Sequence, residues 1–354
     1  MTNIISLNVP PRRLRLSERT PALIRCFAEH RRIMDDVFWL KENAEMLNIL
    51  ECTGQAVTSV ALAPMAAFYD SLPDRLTFFP QYYRFLLSIG LDLEDLGMPG
   101  DQMQALCDMV LRQGLADAEL SDLQRAEARR LLARRGLHTR ADAGLDDRLR
   151  AFIERSATFA LPNKKAAYEL THIVFYLSEY GRRDPQLSQA ALRSLEYAGI
   201  LAYLDQNMDL LAEICVALRQ AGAQPNVLWE TAVRDHLRAY TIRQDVDAPL
   251  SDGYHEYLVS LWAVAMMGHD DSGAIVPDGR VVFAPQMPTD SALRPMSAVL
   301  LSWTGVRQPD WHSMRDAMLD AVPPEAAMII EGAEKTAHFE PFFETFARAG
   351  TPTR

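Results

Sequence analysis

The chain has 354 residues, of which 49% are hydrophobic and 23% charged, the composition of a folded protein long enough for two ordinary domains or one large repetitive one. A net charge of −11 and a pI of about 5.3 disfavour a broad surface for nucleic acid or anionic membrane. Four cysteines without CxxC spacing (Cys26, Cys52, Cys107 and Cys215) fit a reducing cytoplasm, and no run of about 18 uncharged apolar residues marks a transmembrane helix.

The N-terminus, MTNIISLNVPPRRLRLSER, places a few apolar residues before Pro10, Pro11 and a basic cluster, the reverse of a signal peptide. Residues 1–18 are therefore expected to be a flexible arm and 19–354 a single all-α domain. From there, helical apolar patterns keep stopping at a glycine: Gly54, Gly97, Gly136, Gly181, Gly222, Gly268, Gly305 and Gly350. Glycine accepts the left-handed conformation that satisfies the last carbonyls of a helix.

Within this series, Leu123 to Arg150 is rich in arginine with interspersed acids. It reads as a solvated helix face with i,i+4 pairs, or as a docking surface for an acidic partner. AIVPDGRVVFAP, Ala274 to Pro285, has β-branched runs around Pro277-Asp278-Gly279 and predicts a small β-hairpin insertion at about 270–292.

The glycine stops recur on average about every 42 residues, enough for two helices and two connections. The expected fold is all-α, with helical-hairpin repeats forming an α/α toroid or a curved solenoid. Both need the same hairpins, so the two remain open.

If the stops are equivalent, residues equally far before each glycine share a depth. Thirteen positions before are Lys41, Arg84, Tyr168, Asp209 and His255; nine before are Glu45, Ser88, Glu127, His172 and Glu213. The two levels lie one helical turn apart on one face. Lys41 with Glu45, Arg84 with Ser88, Tyr168 with His172, Asp209 with Glu213, and His255 form a constellation that must face water, each other, a metal or a ligand.

YELTHIVFYLSEYG, Tyr168 to Gly181, shows why. Leu170, Ile173, Val174 and Leu177 share one arc, while Tyr168, Glu169, His172, Tyr176 and Glu179 gather on the other. Glu169 and His172 have ExxH spacing, which places a carboxylate and an imidazole where both can hold one ion. His172 and His255 with a carboxylate from Glu169, Asp209 or Glu213 would suit zinc or ferrous iron. Without metal, His172 could act as base and Tyr168 or Tyr176 as proton donor, with Lys41, Arg84 and Glu45 binding substrate. Structural packing of a satisfied polar layer is the third reading. No GxGxxG, GxxxxGK[ST], GxSxG or HExxH motif is present, so neither a nucleotide cofactor nor a serine nucleophile is expected.

DDVFWLKENAEMLNILECTG, FFPQYYRFLLSIGLDLEDLGMPG and YELTHIVFYLSEYG together resemble an uncharacterised all-helical family of unknown function from marine alphaproteobacteria. The resemblance spans most of the chain and implies a helical fold, with no activity to carry over. The leading expectation is a cytoplasmic enzyme, metal-dependent or not, acting on a small-molecule or peptide substrate in a central helical cavity. The rival is a helical-repeat interaction or regulatory protein that binds a protein partner.

Overall fold

Glycine punctuation sets the helix ends. Gly54, Gly97, Gly136, Gly181, Gly222 and Gly268 all take positive φ, between 66° and 98°. At four of them the next N–H reaches back five residues, as from Gln55 to Leu50 O at 3.1 Å and from Ala223 to Leu218 O at 2.9 Å. Such a closing turn satisfies the carbonyls a helix end leaves open. Gly305 differs, because the chain has already left its helix at Trp303, and Gly350 lies outside the described residues.

The computed structural model describes residues 16–139, 144–245, 247, 251–268, 276–277, 279–285 and 290–349. The predicted arm therefore falls outside it as far as residue 15. The described residues are mostly helical, with one small two-stranded antiparallel sheet. In chain order the first helices are α1 (Leu16–Arg25), which runs into a π-helical turn at Cys26–His30, α2 (Val37–Cys52), α3 (Ser59–Leu62), α4 (Ala66–Phe78), α5 (Tyr83–Asp95), α6 (Met103–Arg112), α7 (Asp122–Ala133) and α8 (Leu145–Ile153). After α9 (Ser156–Phe159) come α10 (Lys164–Leu177), α11 (Gln189–Leu204), α12 (Met208–Gln220), α13 (Val227–Ala239) and α14 (Tyr254–Met266). The last four are α15 (Leu293–Ser302), α16 (Trp311–Ala321), α17 (Pro324–Ala333) and α18 (Phe339–Phe346).

Side-chain caps start the helices that matter most here. Asp36 accepts from Phe38 N–H at 2.9 Å ahead of α2, Asn163 from Ala166 N–H at 3.1 Å ahead of α10, and Asn207 from Leu210 N–H at 3.2 Å ahead of α12. Six helices contact one another in sequence: α2 packs on α5, α5 on α7, α7 on α10, α10 on α12, α12 on α14, and α14 back on α2. A second set lies against these, with α4 and α6 on α5, α8 on α7 and α10, α11 on α10 and α12, and α13 on α12 and α14. Neighbours on several sides explain why α12 is apolar almost all round, with even Glu213 and Gln220 buried. α17 and α18 pack on α11. Among the described residues no helix is long and apolar enough to cross a membrane.

Two local expectations are corrected. Val281–Ala284 is a strand (β2), but its antiparallel partner is Thr241–Gln244 (β1), on the far side of α14 in sequence, with Thr241 opposite Ala284. Val276 and Pro277 lie outside any strand, while residues 269–275 and 278 of the expected hairpin lie outside the described residues; among the described residues β2 pairs with β1 alone. The β-branched pattern identified a strand; which edge it meets is a tertiary matter.

Arg130 of α7, and Arg134 and Arg135 just past its end, bond acids of other parts of the chain rather than acids one turn away. Arg134 bonds Asp92 and Asp95 at 2.7 Å each, and Arg135 bonds Glu94 at 2.7 Å. Arg130 bonds Glu179 and lies over the Tyr180 ring, 4.4 Å from its centroid. The acids sit at the end of α5 and just past α10, so packing offers closer partners than the arginines' own helix does.

Candidate functional site

The aligned levels of the sequence meet at one place. A cavity of about 270 Å³ is lined by Lys41 and Glu45 of α2, Arg84 and Ser88 of α5, Glu127 of α7, His172 of α10, Glu213 of α12 and His255 of α14. Phe85, Phe175, Tyr176, Tyr180, Val259 and Trp262 supply its apolar wall. A more open hollow of about 530 Å³ lies at the starts of α10, α12 and α14, bounded by Lys164, Tyr168, Asp209, Asp252 and Glu256, and His255 lines both.

His255 is held by α12. Its Nδ1 lies 2.6 Å from Asp209 Oδ1, and Asp209 Oδ2 accepts from the Tyr168 hydroxyl at 2.6 Å. Burial works against the His255 imidazolium, but the hydrogen bond and charge of Asp209, backed by Glu45 and Glu213, lift the ring to about 9. Asp209 moves the other way: burial opposes its charge, yet the bonds from His255 and Tyr168 bring it below the usual carboxylate range. His255 Nε2 faces two carboxylates at a distance, Glu45 Oε1 and Glu213 Oε1, each 3.9 Å away.

Glu213, one turn beyond Asp209 on the same helix, has a side chain only 2% exposed. Burial raises its pKa, and the nearby His172 and His255 offset this only in part. The Thr171 hydroxyl donates to its Oε2 at 2.6 Å.

His172 Nδ1 lies 2.7 Å from the carbonyl oxygen of Tyr168. A carbonyl only accepts, so Nδ1 carries the hydrogen and the lone pair of the neutral ring is on Nε2.

On the other walls, Lys41 Nζ bonds Glu45 at 2.9 Å and the Tyr254 hydroxyl at 3.0 Å, while that hydroxyl donates to Glu45 at 2.9 Å. Arg84 bonds both Glu119 and Glu127.

Of the predicted residues, Lys41, Glu45, Arg84, His172, Tyr176, Glu213 and His255 therefore line one cavity. Tyr168 and Asp209 stand behind it, in the open hollow, where Asp209 bonds His255 and Tyr168 bonds Asp209. Glu169, half-buried on α10, is not among the residues lining either space. The expected metal set is thus divided. Among the described residues no three His, Cys, Asp or Glu side chains gather as ligands for one ion.

Tyr254, Thr171 and Trp262 were not singled out from the sequence. Trp262 follows His255 by seven residues, the spacing of one helix face, and Thr171 precedes His172.

A family profile matches residues 1–349. The chain belongs to that family, described as Domain of unknown function (DUF6902). No curated protein matches the chain, and no solved structure does. Membership in DUF6902 accordingly brings no assigned activity, and the chemistry must be read from the cavity.

Proposed function

We propose that the six contacting helices α2, α5, α7, α10, α12 and α14 form the inner wall of an α/α toroid, and that their cavity is the active site of an enzyme working on a small molecule by acid–base chemistry. One observation carries the reading: two carboxyls one turn apart on α12, Asp209 and Glu213, are pushed in opposite directions on either side of His255. Environments that separate the pKa values of neighbouring titratable groups are how one site obtains both an acid and a base.

The roles follow from the geometry. Glu213, whose pKa burial raises, is the carboxyl placed to act as the acid. His172, with Nδ1–H tied to a carbonyl, presents Nε2 as base. His255, kept charged by Asp209, stabilises negative charge that develops between them. Lys41 and Glu45 provide polar contacts on the opposite wall. The cavity volume suits a small molecule rather than an extended peptide.

The reading needs no metal. The rival, a helical-repeat interaction protein, is placed second, because the arginines that would dock an acidic partner, Arg130 of α7 and Arg134 and Arg135 just past it, bond acids of the same chain.

The test is to incubate purified, untagged protein with pooled small metabolites and follow their consumption by mass spectrometry. A compound consumed by the wild type should be turned over about 10²-fold or more slowly by both Glu213→Gln and His172→Asn. Equal turnover by both folded variants would sink the assignment. Stoichiometric zinc or iron in the purified protein would replace it with the metal-dependent form.

A further inference from the structure

The cavity is graded along its axis. Lys41, Arg84 and His255 stand toward the starts of their helices, and Ile49, Tyr176 and Trp262 lie seven to eight residues further on or at the matching depth. At 1.5 Å per residue the polar and apolar ends are about 10 to 12 Å apart.

The apolar end is an aromatic panel. The Trp262 ring lies 5.0 Å from Phe175 and stacks on Tyr180 at 5.9 Å with 25° between the planes. This panel is held under backbone strain. Glu179, Tyr180 and Gly181 take positive φ in succession, at 49°, 54° and 87°. A left-handed non-glycine residue costs about 1–2 kcal/mol and persists only where its surroundings enforce it. Here Arg130 supplies part of that enforcement, bonding Glu179 and covering the Tyr180 ring. The strain thus goes with the placing of one ring at the apolar end of the cavity.

At the polar end two donors are left over, the third hydrogen of Lys41 Nζ and His255 Nε2. Arg84 is engaged by Glu119 and Glu127, and Lys41 holds Glu45 and Tyr254 with two of its three hydrogens. His255 Nε2 has no acceptor within hydrogen-bond distance among the described residues, its nearest carboxylates standing 3.9 Å away. The starts of α12 and α14 lie beside it and add the positive end of the helix dipole.

We infer that the cavity binds a small aromatic acid, its planar ring on the Trp262 and Phe175 panel and its carboxylate accepting from His255 Nε2 and from the third hydrogen of Lys41 Nζ, beside Glu45 Oε1, which stands 2.9 Å from Lys41 Nζ and 3.9 Å from His255 Nε2. This rests on the cavity being the active site, but binding can be measured without turnover.

Calorimetric titration of the full chain with four probes tests it: indole-3-acetate, indole, acetate and tryptamine. Indole-3-acetate should bind at least tenfold more tightly than each of the other three, because only it uses both ends. Lys41→Met, at a side chain 43% exposed and so tolerant of change, should reduce that affinity to the level of indole while leaving indole unaffected. Should Lys41→Met fold poorly, the wild-type ranking decides alone. Tryptamine binding best, acetate matching indole-3-acetate, or no probe binding would overturn the inference. A correct ranking together with turnover unchanged in Glu213→Gln would instead count against the acid–base reading alone.

Discussion

Asp209 and His255 meet across α12 and α14 with 2.6 Å between Oδ1 and Nδ1, and the contact makes a charged imidazole the centre of the polar layer. His255 is lifted from 6.5 to about 9, with Asp209, Glu45, Glu213 and Lys41 as the charged groups around it. Because the folded pKa is the higher one, its stabilisation is complete below about 6.5 and is lost as pH rises through about 9. Thermal melts should therefore show a fall in Tm between pH 6.5 and 9 that is shallower in Asp209→Asn. An NMR titration of the His255 ring should place its midpoint at least one unit lower in that variant. An unchanged midpoint would show that Asp209 does not set it.

Thr171 donates to Glu213, and this bond favours the charged carboxylate. Thr171→Val should push Glu213 still higher and destabilise the fold by about 1–3 kcal/mol, the usual range for a buried acceptor left unmade. The infrared band of a protonated carboxyl should persist to higher pH in Thr171→Val than in the wild type and vanish in Glu213→Gln. A band that ignores both substitutions belongs to another acid.

Arg31 joins three parts of the chain. Its guanidinium bonds Glu42 on α2 and Asp252 ahead of α14 at 2.8 Å each, and lies about 5 Å from the ring centres of Phe27, Tyr254 and Phe283. Glu42 and Asp252 are 1% and 3% exposed, so Arg31→Met would leave buried Asp252 without its ion pair and Glu42 with Arg32 alone. Urea denaturation should report a loss of about 3–5 kcal/mol. A loss under 1 kcal/mol would mean that the two carboxylates find other partners.

Gly199 lies in the middle of α11, where its ordinary effect would be to weaken the helix. A Cβ there would come within 2.5 Å of the buried Trp229 ring. Gly199→Ala is therefore expected to destabilise by about 1–3 kcal/mol despite the better helix propensity of alanine. Combining it with Trp229→Leu should cost less than the sum of the two singles, a coupling that a double-mutant cycle reads directly.

The helix ends were legible because the signal is local. A glycine that can turn left-handed closes a helix wherever it stands, and six of the seven expected stops among the described residues take positive φ. The depth alignment built on those stops placed Lys41, Glu45, Arg84, His172, Glu213 and His255 at comparable heights, and they do line one cavity. Its limit shows at Tyr168 and Asp209, which share the depth of His255 but stand behind the cavity wall. Distance from a glycine gives height along a helix, not rotation about it.

The sequence by itself determined where helices stop and which polar residues interrupt their apolar faces, because both depend on a few neighbouring residues. Tertiary structure alone decided that α14 meets α2, that β2 pairs with β1 across α14, that Arg134 and Arg135 just past α7 turn to the acids of α5, and that Asp209 orients His255. Those outcomes depend on the rotation and approach of elements distant in the chain, and no local spacing encodes them.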